Sequence, residues 1–376
     1  MIPYLRALRP IAAVLLAVAL VACSSSNNIG GNKANSAATQ PPAASRAAGT
    51  PAAASAPSGT AATAARSSPA AVSPTAASAS PTAAGSPAAA VATETAPKLP
   101  ATATDKDGKG IQVTNIDRMV PLDGDITEII YALGLGSNVA GVDISSTYPP
   151  EVTKLPQIGY QRTLTAEPIL ALKPSLIVGD EMAGPPPVIE QLRGAGVPVV
   201  IFKYDATIDG IPTKIRNIAA ALGVPGRGAA LIAAEQQSVN EAKALAAKAT
   251  SKPKVAFLNI RGGGTQQIWG QGFPSHDMIV AAGGVDAADA AGIQGSKPIT
   301  AEALVTAAPD VILITSAALK DAGGVDGVLQ IPGIAQTPAG QNKRVVSLED
   351  QYLLGMGPRT GQALSDLAKL LHPELK

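Results

Sequence analysis

A fourteen-residue segment occurs twice, and this repeat constrains the architecture more than any other feature of the chain. Thr165 to Val178 reads TAEPILALKPSLIV, and TAEALVTAAPDVIL begins at Thr300, 135 residues later. Five of the fourteen positions are identical, and five more pair one apolar residue with another. Stacked solenoid units repeat every roughly 20–50 residues. The longer spacing suits two sister lobes instead. Each copy carries the same local signals. The hydroxyls of Thr165 and Thr300 can accept from the unpaired N–H groups that open a helix. Glu167 and Glu302 then fall in the first turn, where the helix dipole favours a carboxylate. A short apolar helix stops near Pro174 or Pro309, and a short strand follows at 176–178 or 311–315. A first-turn Glu is by itself only a helix start. Two at matched positions suggest matched surface sites, although duplication alone also produces them.

The rest of the chain extends this helix–strand alternation. Strands are expected at 118–122, 139–143, 199–202, 254–258 and 344–348. Asp125 opens a helix with Glu128 three residues on, and Gly134 closes it. Further helices are expected at 187–195, 208–222, 275–282 (capped by Ser275) and 359–371. The longest helical pattern runs from Arg227 to Thr250. At 1.5 Å per residue it would span roughly 35 Å, enough to cross from one lobe to another. Helices alternating with short apolar strands predict a mainly parallel sheet covered by helices. The expected fold is therefore α/β: two Rossmann-like lobes, 111–225 and 251–376, joined by one long rigid helix at 226–250.

Not all of the 376 residues can fold in this way. Arg6 and Arg9 precede an apolar run from Ile11 to Ala22, the pattern of a secretory signal, here 1–22. The run is short for a membrane span. Leu20-Val21-Ala22-Cys23 resembles a bacterial lipobox, which implies cleavage before Cys23 and a lipid on its thiol. Such a chain is anchored to a membrane rather than threaded through it. Cys23 is the single cysteine, so a disulfide within the chain is excluded. From 23 to 110 the chain is Ala, Ser, Thr and Pro with few large apolar residues. That composition buries too little surface to offset its ordering entropy, and predicts a disordered tether. About 80 flexible residues would span roughly 50 Å.

Composition removes several kinds of chemistry. A net charge of +1 gives no argument for nucleic acid as a partner. Of the two histidines, His276 falls at a helix start and reads as a solvated or capping residue. His372 lies near the C-terminus and reads as frayed and exposed. No HExxH, CxxC, G-x-S-x-G or Walker pattern occurs, and the glycines after Arg261 lack dinucleotide-binding spacing. A binding protein fits better than an enzyme.

The order of parts now matters: lipobox, tether, lobe, long helix, lobe. With GDITEIIYALGLGSNVAGVD, YPPEVTKLPQIGYQRTLTAEPILALKPSLIV and PITAEALVTAAPDVILI, the chain resembles the substrate-binding lipoproteins of metal-chelate ABC importers. That group carries cobalamin, siderophores and heme. The resemblance covers about Arg118 to Leu371. Within the group it is strongest to heme (hemin) carriers, through GYQRTLTAE at Gly159–Glu167, TPAG at Thr337–Gly340 and the LLGxGxxT pattern at Leu353–Thr360. The resemblance implies that Tyr160 is the axial ligand of heme iron. Ferric iron is a hard Lewis acid, phenolate a hard anionic donor, and tyrosine ligation of heme is known chemistry. A free phenol titrates near ~10, so a neighbouring guanidinium, Arg162 or Arg261, would assist. Arg162, Lys203, Arg261 and Arg359 are candidates for the propionates, and Trp269 for stacking on the macrocycle.

Some heme carriers place a second ligand just after the first strand of the second lobe. Here that position falls on Asn259, a poor ferric ligand. Tyr160 is therefore expected to be the sole protein ligand, with Arg261 beside it or on a propionate; a different cargo is the alternative. By the same resemblance, Glu167 and Glu302 dock on a permease served by a separate ATPase. The expected protein is a monomer, lipid-anchored on the outer face of the cytoplasmic membrane. Two rivals stand beside it: a cobalamin or ferric-siderophore carrier, and a cell-surface enzyme or sensor module.

Overall fold

A computed structural model describes residues 96–261 and 265–375, and they belong to one compact unit. The signal sequence, Cys23, most of the tether and the glycines at 262–264 lie outside the described residues.

The first element corrects a boundary. Strands β1 (Ala101–Thr104) and β2 (Gly110–Val113) form an antiparallel hairpin, with β1 inside the stretch assigned to the tether and β2 at its end. Ordering comes from outside the hairpin. Asp105, nearly buried, pairs with Arg193 at 2.5 Å, and Lys106 N donates to Ile201 O at 2.6 Å. The fold thus starts at or before residue 101, not at 111.

The first lobe then builds a parallel sheet in the order β3-β4-β5, from Met119–Pro121, Leu176–Asp180 and Val199–Phe202. Its helices are α1 (Gly124–Ala132), α2 (Ala166–Ala171), α3 (Pro186–Gly194) and α4 (Ile211–Ala221). The expected strand at 139–143 is not a strand. Only isolated bridges, Met119 to Val139 and Val142 to Gln157, hold it. Asp143 at its end is instead enclosed by the hydroxyls of Ser145 and Ser146. Asp125 does not cap α1 either. The capping position is Asp123, and both Asp125 and Glu128 are buried partners of distant cations.

Helix α5 (Pro225–Ala246) is the predicted interlobe helix, ending four residues short of Thr250. It is clamped on both sides by close approaches. A Cβ on Gly228 would lie 2.4 Å from the Ala219 side chain of α4. One on Gly361 would lie 2.3 Å from Ser238 Oγ. Gly361 belongs to α13 (Thr360–Leu371) of the second lobe, so α5 packs tightly against both lobes. A single apolar cluster runs through Ile129, Ile215, Val239, Phe257 and Leu364 and continues from lobe to lobe.

The second lobe carries β6 (Lys254–Arg261), β7 (Thr265–Trp269), α6 (Pro274–Ala281), β8 (Val285–Asp286), α7 (Ala287–Ala290) and β9 (Ser296–Pro298). Next come α8 (Ala301–Ala307), β10 (Val311–Thr315), α9 (Ser316–Asp321), α10 (Gly324–Leu329), α11 (Pro338–Gln341), β11 (Val345–Leu348) and α12 (Asp350–Leu354). Strands β11, β10 and β6 are parallel, whereas β7 runs antiparallel to β6 and β9 to β7. The sheet is thus mixed. The antiparallel partner β7 was not among the expected strands.

The repeat is structural. Strands β4 and β10 begin at matched positions, and Lys173 and Ala308, also matched, both adopt left-handed conformations at φ 49° and 44°. Thr300 Oγ1 caps α8 by accepting from Ala303 N at 3.1 Å, while Thr165 occupies the same position on α2 without a side-chain cap. Two further expectations fail. Ser275 does not cap; it lies inside α6, buried, behind the capping position Phe273. His372 is fully buried, with Nε2 3.1 Å from Ala282 O, because the C-terminal segment folds back onto α6.

One buried acid is uncompensated. Glu235 of α5 is 3% exposed, its Oε1 has no hydrogen-bond partner, and burial raises its pKa to about 7. A carboxyl raised on folding contributes stability below its unfolded value, and that contribution is lost as pH rises towards 7. Glu235→Gln is therefore expected to stabilise the protein by about 1 kcal/mol at pH 8 and to gain less at pH 5, by urea unfolding at both.

Candidate functional site

Parallel strands aim their C-terminal ends at a crevice, the usual ligand position in α/β sheets. Here both sheets do so towards one cleft of ≈ 900 Å³ between the lobes. Asp123 follows β3, Asp180 ends β4 and Tyr204 follows β5 on one wall. Asn259 and Arg261 lie at the end of β6, Thr315 ends β10, and Glu349 and Gln351 follow β11 on the other.

Tyr160 stands in the extended residue before the short turn Gln161–Thr163, half-buried at the cleft. Its hydroxyl accepts from Arg261 Nη1 at 3.1 Å, a contact between the lobes. The guanidinium carbon also lies 5.6 Å from the Tyr160 ring centroid. Arg261 Nε reaches Asn259 Oδ1 at 3.4 Å, and the exposed Arg162 lines the same cleft. Trp269 also faces it, stacked on Phe273 at 4.3 Å and tilted against Phe257 at 5.1 Å. The structure therefore brings Tyr160, Arg162, Asn259, Arg261 and Trp269 together.

Two expected members are not there. Lys203 is exposed and does not line the cleft. Arg359 is 6% exposed and behind it, where Nε and Nη2 donate to Glu128 at 3.0 and 2.9 Å. Its guanidinium also stacks 3.6 Å from the Tyr148 ring centroid. A lone Arg at a helix start gave no sign of a buried partner 231 residues away.

The sequence reading also missed an acidic patch. Asp123, Asp125 and Asp180 all line the first-lobe wall. Asp125 pairs with the buried Lys214. Burial, and then repulsion from Asp180, Asp125 and Asp143, holds the Asp123 carboxyl well above the usual range. Asp180 is raised to about 7, by burial first and then by Asp125. Burial raises the Tyr204 phenol as well. The only sequence signal was the Asp123–Asp125 pair, which reads locally as a helix cap. Phe273 was missed too, although it is one of three Phe in the chain.

Glu167 and Glu302 are exposed in the first turns of α2 and α8. Neither touches the cleft.

Relatives agree with this architecture. A heme-binding protein from Roseiflexus sp. RS-1, RhuT in its apo form, is 50% identical and superposes with a TM-score of 0.68, covering 70% of this chain and all (100%) of that one. BhuT, a heme-binding protein solved with two hemes, is 37% identical with a TM-score of 0.63, covering 69% of this chain and 99% of its own. Among curated relatives, the ABC transporter substrate-binding lipoprotein YvrC of Bacillus subtilis is 27% identical over 73% of this chain and 86% of its own. A vitamin B12-binding protein from Vibrio parahaemolyticus is 26% identical over 68% and 89%. The periplasmic binding protein family matches residues 119–352, both lobes and the helix between them. Two sister α/β lobes, one clamped helix and one ligand-sized cleft place this chain in the periplasmic binding protein family.

Proposed function

We propose that the protein is the binding component of an ABC importer and that it carries heme in the interlobe cleft. The observation that carries this reading is the Tyr160 hydroxyl, held across the cleft by Arg261. It offers an oxygen donor to ferric iron, already oriented by the Arg261 guanidinium. Arg162 and Arg261 also suit the two propionates, and Trp269 with Phe273 gives the ring an aromatic surface. In this reading Tyr160 is the sole protein ligand and Asn259 makes no iron bond. The carrier performs no chemistry on its cargo. It acts as a monomer outside the cytoplasm, held to the membrane by a lipid on Cys23.

Titrating the purified chain with hemin tests this. The expected result is a saturable high-spin ferric spectrum of the tyrosinate type, with no displacement by excess cyanocobalamin. The B12-binding relative supports a corrinoid as second reading. Saturable cobalamin binding without a hemin spectrum would establish that reading in place of heme.

Delivery needs a docking surface, and the exposed pair Glu167 and Glu302 suits arginines on a two-part permease. Single exposed ion pairs contribute about 0–1 kcal/mol, which suits a carrier that must also leave. Reversing both, Glu167→Arg with Glu302→Arg, should lower hemin uptake into permease-bearing vesicles by about tenfold through like-charge repulsion. Hemin affinity in solution should stay unchanged; uptake at the native rate would reject the docking role.

A further inference from the structure

Gln351 is held more completely than any other cleft-lining side chain described above. It sits in the first turn of α12 on the second lobe and is 7% exposed. All its side-chain partners lie on the first lobe. Its Oε1 accepts from Thr147 N at 2.8 Å, Thr147 Oγ1 at 2.9 Å and Tyr148 N at 3.1 Å. Its Nε2 donates to Gly124 O at 2.7 Å and to Glu128 Oε2 at 3.1 Å. Glu349, which caps α12, lies at the same 2.9 Å from Thr147 Oγ1, so the one hydroxyl proton is shared between Gln351 and Glu349.

The segment gripped in this way leads to Tyr160. Ile144 N donates to Gly159 O at 3.0 Å, and Ser145 Oγ, which shares its proton with Asp143 Oδ2 at 2.6 Å, contacts Gln161 Oε1 at 3.1 Å. Both residues flanking Tyr160 are thus tied to the 144–148 loop. Gln351 ties that loop in turn to the lobe that carries Arg261. We infer that Gln351 is a positioning residue for the ligand cleft, setting the separation of the Tyr160 and Arg261 walls. This inference rests on the heme reading for its ligand and on geometry alone for its mechanics.

Both ends of the amide are required. Glu at this position cannot donate to Gly124 O and would face the Glu128 carboxylate. Leu would leave the partly buried N–H groups of Thr147 and Tyr148 without their acceptor. No bond to cargo is claimed for Gln351; it acts through the loop.

The test uses the full chain with Gln351→Leu and Gln351→Glu. Amide exchange across 143–150 should be faster by about tenfold in both, since the loop opens locally. Hemin affinity should fall by about tenfold, the scale for partners that orient a metal ligand. The iron–phenolate stretch in resonance Raman spectra should shift. A folded variant with native exchange, affinity and Raman spectrum overturns the inference. If Gln351→Leu does not fold, Thr147→Val is measured instead; it removes only the hydroxyl, and exchange and affinity should change by about threefold. If the native protein gives no tyrosinate spectrum with hemin, the heme reading fails, and the exchange rates alone decide this one: native rates across 143–150 overturn it.

Discussion

Tyr160→Phe is expected to bind hemin about a hundredfold more weakly, with loss of the tyrosinate absorption bands. The substitution removes one oxygen and little else. Phe keeps the ring's volume and its place beside Arg261, whose guanidinium carbon lies 5.6 Å from the ring centroid. The cleft keeps its shape, so the residual affinity measures what apolar contact and the arginines contribute without an iron bond. Tyr160 is half-buried at the cleft rather than in a core, and its hydroxyl has one bond, from Arg261. Stability should therefore change by less than about 1 kcal/mol. Hemin titration with absorption and resonance Raman readouts checks both halves. Native affinity with an unchanged spectrum would remove Tyr160 from the iron and leave the cleft in need of another ligand.

Arg359→Met is expected to cost about 3–5 kcal/mol of stability, the largest loss from a single side chain that this structure suggests. Arg359 and Glu128 are 6% and 4% exposed and joined by two side-chain bonds. Met retains the length that packs between Tyr148 and Tyr352, whose ring centroids lie 3.6 and 5.0 Å from the guanidinium. What is lost is the cation. Burial already raises the Glu128 carboxyl, with Arg359 opposing the rise. Without Arg359 the folded-state value climbs further. A carboxyl raised on folding favours the folded state below its unfolded pKa, and that contribution is lost as pH rises through the folded value. The variant's deficit should accordingly be larger at pH 8 than at pH 5. Thermal unfolding at both values, without hemin, measures it. Adding Glu128→Gln should return part of the loss by removing the stranded charge; an equal deficit at both pH values would show that packing, not charge, was removed.

Both predictions depend on placements of unequal legibility. Tyr160 was found through the GYQR sequence and its likeness to a family, and the structure sets it at the cleft just before the Gln161–Thr163 turn. Arg359 was assigned to the same cleft as a candidate cation for the propionates, and nothing local to it reveals a partner. Its carboxylate lies 231 residues away in α1, where Glu128 mimicked half of a capping box. The same misreading hid Asp123 and Asp125, since a cap and a buried acid use identical residues. Burial separates them, and burial depends on what packs above.

The sequence alone determined the two-lobed plan, because a repeated helix–strand segment must bury its apolar face in the same way each time it occurs. It also determined the connecting helix, whose periodicity is local, and the candidate phenol. Tertiary structure alone decided which polar groups meet. The Tyr160–Arg261 contact, the Gln351 bonds and the Glu128–Arg359 pair all join lobes across more than a hundred residues. Such pairings carry no periodicity and no local propensity. They exist because α5 packs against both lobes and brings the ends of two sheets to a single crevice.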